Sequence, residues 1–200
     1  MTPHYILLQF PIPGPHEELY MALGDYLENF VDSITLLGSG LHSIADVHAA
    51  YAADTNEHKV IAIKVNPFKR VLMLWQYVVV GGTPYGLGNV DYSSYTDFND
   101  FVAFYFSDKV PAIEGARINM SSFYFTDTLK PDYLLDFDTF PEDMGTIPEF
   151  AMDQATDFFH QQYIDTLNYG TFYNETSRLT VEQAYAADIS KFGYKFEQQA

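Results

Sequence analysis

An acidic block without basic residues is the part of the chain with the clearest chemical character. From residue 131 to residue 177 there are ten Asp or Glu residues and neither Lys nor Arg. Between 149 and 165 every fourth position is acidic except Gln161. On a helix this spacing places carboxylates in one row, roughly 6 Å apart for each four-residue step. Like charges at that spacing repel one another, so the row favours a cationic partner.

We predict that this block forms a partner-binding surface. Its predicted members are Asp132, Asp136, Asp138, Glu142, Asp143, Glu149, Asp153, Asp157 and Asp165. The alternative interpretation is the solvated face of an amphipathic helix. Such faces usually mix Lys and Arg with the acids to gain i, i+4 support, and this one does not. Aromatic residues close by supply potential interface anchors.

Histidine and aspartate residues near position 45 are the candidates for metal binding. His42, Asp46 and His48, with His58 further along, carry imidazole and carboxylate groups that bind Zn²⁺ in many proteins. Their spacing matches no standard ligand pattern, so we predict no metal and no cofactor. An aspartate pair such as Asp136 and Asp138 would perform acid–base chemistry only if a pocket shifted one pKa. A small α/β enzyme that uses Asp and His residues, with or without a metal, is therefore the alternative function.

The overall charge restricts the class of partner. The 200 residues contain 27 acids and 10 bases, which gives a formal net charge of −17. Direct binding to nucleic acid or to an anionic membrane requires Lys and Arg, so both are disfavoured. A basic protein is the natural complement, although halophilic adaptation also explains an acid excess. The absence of cysteine, of a signal peptide and of a membrane span predicts a cytoplasmic protein.

Hydrophobic periodicity predicts the elements that position these residues. Strands are predicted over 4–10, 33–37, 59–65, 70–80 and 116–125. Helices are predicted over 16–30, 96–108 and 150–168, and from Thr180 to Phe192 with a frayed end. The alanine-rich segment 44–53 fits either a helix or a strand.

A hairpin is the clearest local feature of the predicted sheet. Pro67 fits the second position of a type I turn between strands 59–65 and 70–80. Four of the ten basic residues gather there: Lys59, Lys64, Lys69 and Arg70. If this hairpin packs against the acidic block, it neutralises part of the block. The element order predicts an α+β fold with a mostly antiparallel sheet and packed helices, ferredoxin-like or related, plus a C-terminal helical segment.

The predicted domain organisation is one compact domain. Residues 1–130 form its α+β core, and residues 131–200 add the acidic loop and the C-terminal helices. The function that fits is an inhibitor that occupies the basic, nucleic-acid-binding surface of another protein. A nucleic-acid mimic from a phage or mobile element and an immunity protein against a basic toxin both match this description. The oligomeric state is not predicted.

Overall fold

The structure is a computed structural model, and it describes residues 4–8, 34–36, 43–52, 57–80, 92–108, 117–139, 143, 145–147 and 164–197. In chain order the elements are β1 (His4–Leu8), β2 (Ile34–Leu36), α1 (Ile44–Tyr51), β3 (His58–Lys64), α2 (Pro67–Trp75), a π-helix (Gln76–Val80), α3 (Phe98–Tyr105), α4 (Met120–Tyr124), β4 (Tyr133–Asp136), a 3₁₀-helix (Ile164–Thr171), α5 (Glu175–Ala184) and α6 (Ala186–Phe192). The predicted helix 16–30 and most of the predicted helix 150–168 lie outside the described residues.

The chain folds into two compact units. Unit 1 consists of Met1–Pro11, Glu18–Val65 and Met120–Gln162, and unit 2 consists of Ile12–Glu17, Asn66–Asn119 and Tyr163–Ala200. The chain leaves unit 1 after β3 and re-enters it at α4. A long segment of unit 2 is therefore inserted between β3 and β4, which are neighbours in the sheet. The grouping of residues 1–130 and 131–200 into one domain stays a prediction.

The strands of unit 1 form one parallel sheet in the order β2-β1-β3-β4. His4 of β1 lies opposite His58 of β3, and Ile61 of β3 lies opposite Tyr133 of β4. All described strand pairs are parallel, so the predicted mostly antiparallel, ferredoxin-like sheet is wrong. The near-continuous apolar runs of β1 and β3 are typical of parallel strands that are buried on both faces. The sequence interpretation assigned the wrong neighbour to β3, which pairs with β1 and β4.

The predicted hairpin is wrong because Asn66 and Pro67 start a helix. The Asn66 side chain accepts a hydrogen bond from the Phe68 backbone N–H at 3.0 Å. Pro67 takes the first helical position, where no N–H is needed. Residues 67–74 are all buried, and Lys69 and Arg70 are among them. The continuous apolar run from Val71 to Trp75 resembles a buried strand, which led to the prediction of a strand over 70–80.

Two helices of unit 1 also revise the sequence interpretation. The ambiguous segment 44–53 contains the helix α1, which begins at a capping box formed by Ser43 and Asp46. The predicted strand 116–125 is wrong, because Met120–Tyr124 form the short helix α4. The Tyr124 hydroxyl donates a hydrogen bond to the Ile63 carbonyl at 2.9 Å and so connects α4 to β3.

Unit 2 is helical and has an aromatic core. The predicted helix 96–108 is confirmed as α3, which begins after Asp97. The Asp97 carboxylate accepts hydrogen bonds from the backbone N–H groups of Asn99 and Asp100, at 2.8 and 3.1 Å. The inner face of α3 is fully buried and carries Phe98, Phe101, Val102 and Tyr105. α2, α5 and the 3₁₀-helix supply further members of the same core.

The single helix predicted from Thr180 to Phe192 is two helices in the structure, and the first of them begins before Thr180. A capping box between Asn174 and Ser177 starts α5 at Glu175, so the predicted start at Thr180 is wrong. The Thr180 hydroxyl instead donates to the Thr176 carbonyl inside the helix, at 2.8 Å. α6 ends at Gly193, whose φ of 72° is the left-handed conformation that glycine adopts at helix ends.

The segment 194–197 packs onto unit 2, contrary to the predicted frayed end. Phe196 lies against the rings of Phe68, Tyr169 and Tyr173, with centroid distances of 5.0, 5.6 and 5.5 Å. The Glu197 backbone N–H donates to the Tyr169 hydroxyl at 2.8 Å. A Cβ atom at Gly170 would lie 2.4 Å from the Glu197 carbonyl oxygen, so only glycine fits this close approach.

Candidate functional site

The carboxyl ends of β3 and β4 bring together part of the predicted acidic surface. Lys64 and Asp136 are the last paired residues of the two strands, and their side chains form an ion pair. Each side chain is 21% exposed. The Phe137 backbone N–H then donates to the Lys64 carbonyl at 2.9 Å, which extends the pairing by one hydrogen bond. Asp136 therefore helps to hold β3 and β4 together and is also one of the acidic residues at the carboxyl ends of these strands.

Two carboxylates shape the loop that follows β4. Asp136 accepts a hydrogen bond from the Asp138 backbone N–H at 3.0 Å, which is an Asx turn. The Asp143 carboxylate accepts from the Asp136 backbone N–H and the Thr139 hydroxyl, at 2.8 and 2.9 Å. Asp138 is exposed, whereas Asp136 and Asp143 are half-buried. Two of these three predicted contact residues thus have structural roles.

Asp132 lies at the other end of the β3–β4 pair, immediately before the first residue of β4. Its carboxylate accepts a hydrogen bond from the Val60 backbone N–H at 2.8 Å and lies 3.6 Å from the Lys59 ammonium. Lys59 also pairs with Glu57 at 2.9 Å. The hydrogen bond that the Lys59 ammonium donates to Glu57, followed by the charge of Asp132, raises the pKa of Lys59. The sequence had raised the possibility that basic residues near β3 neutralise the block, and at Asp132 and Asp136 they do.

The remaining predicted contact residues are not gathered at this edge. Asp165 belongs to unit 2 and lies in the 3₁₀-helix, which has a non-helical residue at Asn168. Glu142, Glu149, Asp153 and Asp157 lie outside the described residues. The i, i+4 row of carboxylates therefore stays a prediction.

The candidate metal ligands have other positions and partners. The Asp46 carboxylate accepts hydrogen bonds from the Ser43 backbone N–H and hydroxyl, at 2.8 and 2.7 Å, and so caps α1. His48 is exposed near the end of α1, and His42 lies outside the described residues. In the part of the chain that the structure describes, no group of three or more His, Asp or Glu side chains is arranged to hold a metal ion.

An aromatic group at the amino ends of β1 and β3 was missed by the sequence interpretation. His4 and His58 lie side by side with ring centroids 5.3 Å apart, and Tyr51 of α1 lies 4.8 Å from the His58 ring. Each histidine precedes a near-continuous apolar run, which is typical of a buried strand. If two such strands are parallel neighbours, their first residues lie together, so this pattern could have predicted the contact between His4 and His58. The pairing of Lys64 with Asp136 was also missed, because it depends on β4 lying parallel to β3.

Basic side chains of the described residues are largely held inside the protein or in ion pairs. Lys69 and Arg70 are buried, with exposures of 5% and 2%. Arg178 pairs with Glu175 and Glu182 at 3.0 and 2.6 Å. Three described lysines are exposed, namely Lys130, Lys191 and Lys195. The solvent-facing surface formed by the described residues is thus more acidic than the composition alone indicates.

No protein-family model matches the sequence, and comparisons with curated proteins and with solved structures find no similar protein. None of the described helices combines the length and apolar composition needed to cross a lipid bilayer.

Proposed function

We propose that the protein is an acidic binding protein that occupies the basic surface of a partner protein in the cytoplasm. The observation that supports this proposal is the unequal placement of charge. Most described cations are buried or paired, whereas many carboxylates face solvent, among them Asp100, Asp127 and Asp138. A surface of one sign accelerates association with a surface of the opposite sign and selects against acidic partners.

The partner that fits is a basic, nucleic-acid-binding protein. Rows of carboxylates reproduce the regular negative charge that such proteins bind on a phosphate backbone. A nucleic-acid mimic directed at a host defence system and an immunity protein directed at a basic toxin both follow from this chemistry. The two differ in one respect, because nucleic acid competes with a mimic for the same surface of the partner.

The contact surface is tested best with acids that have no structural role in the described loop. Charge reversal of Asp132, Asp136 or Asp143 would disturb the β3–β4 edge and would confuse folding with binding. We therefore choose Glu149→Lys, Asp153→Lys and Asp157→Lys together. The charge-matched control combines Asp100→Lys, Asp108→Lys and Asp127→Lys, which change three exposed carboxylates outside the block.

The experiment is affinity capture followed by binding measurements on the purified partner at several salt concentrations. We expect the row variant to bind about tenfold or more weakly, with a shallower dependence on salt, and the control to bind nearly as the wild type does. Double-stranded DNA should displace a mimic. Equal weakening of both variants would show that net charge alone is responsible. An unchanged row variant would remove these residues from the contact surface.

A second function, a small α/β enzyme, is favoured by the parallel sheet. Ligands of open α/β sheets bind beyond the carboxyl ends of the strands. Lys64, Asp136, Asp138 and Asp143 lie at that edge and offer an ammonium group and carboxylates for acid–base chemistry. Divalent metal ions and nucleotides should then raise the melting temperature of the wild type and not of Asp138→Asn. Asp127→Asn is the matched control, and the absence of any shift would argue against this function.

A further inference from the structure

Two arginine residues of unit 2, the buried Arg70 and the half-buried Arg117, lie against its aromatic rings. The Arg117 guanidinium lies over the Tyr105 ring, 5.2 Å from its centroid, and Arg70 lies 4.8 Å from the centroid of Tyr185. Arg117 donates hydrogen bonds to the carbonyls of Tyr105 and Ser107. These contacts hold guanidinium N–H donors against the aromatic core.

Two tyrosine hydroxyls in the same region have no hydrogen-bond partner among the described residues. They belong to Tyr92 and Tyr105, which are 5% and 0% exposed. Phe101 connects the two rings, since its centroid lies 5.8 Å from Tyr92 and 5.4 Å from Tyr105. A buried hydroxyl without a partner is costly, and native proteins usually satisfy it with another group, a water or an ion.

The electrostatic surroundings of these hydroxyls connect them with the arginines. Burial, followed by the proximity of Tyr185, raises the pKa of Tyr105, while the positive charges of Arg70 and Arg117 act in the opposite direction. Burial likewise raises the pKa of Tyr92, against the charge of Arg117. Both hydroxyls therefore keep their protons at neutral pH and are available as hydrogen-bond donors.

We propose that unit 2 binds a small inorganic anion of chloride size at the hydroxyls of Tyr92 and Tyr105, beside the guanidinium group of Arg117. An anion accepts hydrogen bonds from phenol and guanidinium donors together, which a neutral ligand does less favourably. The burial of both tyrosines limits the ligand to a compact one. The position inside an aromatic core makes the anion part of the folded unit, distinct from the acidic surface that binds a partner.

A buried water is the competing occupant of this position, because a tyrosine hydroxyl also accepts hydrogen bonds. The two differ in their response to salt composition. A ligand that binds the folded state raises its stability as the ligand concentration rises, whereas a water does not depend on which anion is dissolved.

The test is thermal unfolding of the full chain at constant ionic strength, with chloride replacing gluconate, which is too large to enter a buried site. Trp75 is the sole tryptophan and belongs to unit 2, so its fluorescence reports this unit. We expect chloride to raise the melting temperature by about 4 °C. Tyr105→Phe and Tyr92→Phe should each require at least about tenfold more chloride for the same shift.

Tyr173→Phe is the matched control, because this buried hydroxyl in the same unit already donates to the Phe68 carbonyl at 2.8 Å. It should lower the melting temperature and keep the full response to chloride. A wild-type melting temperature that ignores the anion would assign the position to water and overturn the proposal. An undiminished response in both Tyr92→Phe and Tyr105→Phe would also overturn it. Crystals soaked in bromide give a direct check, since an anomalous peak is expected beside Tyr105.

Discussion

Units 1 and 2 both contain an ion pair between a basic and an acidic side chain, in very different surroundings. Lys64 and Asp136 of unit 1 lie at the edge of the sheet, and each is 21% exposed. Arg70 and Asp188 of unit 2 lie 4.0 Å apart with exposures of 2% and 0%. Water screens the first pair and compensates either partner when the other is removed. The buried pair has no such compensation, so burial decides how much each pair matters.

Alkaline pH should produce the largest difference in stability between the two units. Burial raises the pKa of four tyrosines of unit 2, namely Tyr92, Tyr105, Tyr173 and Tyr185. In the unfolded chain their pKa is about 10, so above that pH the unfolded state releases protons that folded unit 2 retains. Their contribution to stability is complete below about pH 10 and falls above it. The fall is at most about 1.4 kcal/mol per pH unit for each tyrosine.

The measurement is a pH titration followed by Trp75 fluorescence and by tyrosinate absorbance. We expect the absorbance of the buried tyrosines to rise only when Trp75 reports unfolding. Tyrosinate formation with the ordinary pKa and an unchanged Trp75 signal would contradict the burial of these hydroxyls.

Asp188→Asn should destabilise unit 2 by about 3–5 kcal/mol, because it leaves the buried Arg70 charge without its acidic partner. Urea unfolding followed by Trp75 fluorescence measures the loss. Replacing both partners, Arg70→Met with Asp188→Leu, should recover most of it, since the pair then becomes apolar. A loss below about 1 kcal/mol for Asp188→Asn would place this pair in the same class as the one in unit 1.

Phe196→Ala should cost unit 2 about 2 kcal/mol, because it removes a half-buried ring from the cluster with Phe68, Tyr169 and Tyr173. Urea unfolding again provides the measurement, and Phe196→Leu is the control that keeps most of the apolar volume.

Gly170→Ala should be destabilising in the wild type through its clash with Glu197. If it is equally destabilising in a chain that ends at residue 193, the clash is not the cause.

Asp136→Asn should have the smallest effect, about 1 kcal/mol, because the pair with Lys64 is partly exposed and the amide keeps an oxygen for the Asp138 backbone N–H. Hydrogen exchange of the β3 and β4 amides at neutral pH measures it locally. Lys59→Met at the more exposed pair serves as the control and should change stability by less than about 0.5 kcal/mol. If Asp136→Asn and Asp188→Asn lower the free energy of unfolding equally, burial does not decide how much each ion pair contributes.

The sequence predicted the elements whose character is local and missed those that depend on neighbours. β1, β2, β3 and α3 are confirmed, since each has an apolar pattern or a cap of its own. α2 was taken for a strand because Val71 to Trp75 form a continuous apolar run, which is also typical of a buried strand. Strand direction was missed because parallel pairing joins β3 to β4 across an insertion of more than fifty residues. Nothing in the local sequence records such a partner.

The role of the acidic residues as contact residues stays a prediction. The sequence did not reveal that the backbone and two lysines use the carboxylates at positions 132, 136 and 143. Those partners become neighbours only when β4 lies beside β3. The orphan hydroxyls of Tyr92 and Tyr105 were missed entirely, because a tyrosine in an aromatic-rich segment looks like any other core residue.

The docking of Phe196 has a consequence for the synthesis of the chain. Its ring lies 5.0 Å from that of Phe68, although the two residues are 128 positions apart (196 − 68). A ribosome therefore completes α2 well before residue 196 exists. Contacts between such distant residues form slowly, and apolar surface that waits for them is prone to aggregation. The apolar surface of α2 around Phe68 therefore lacks its contact with Phe196 until residue 196 has been synthesised.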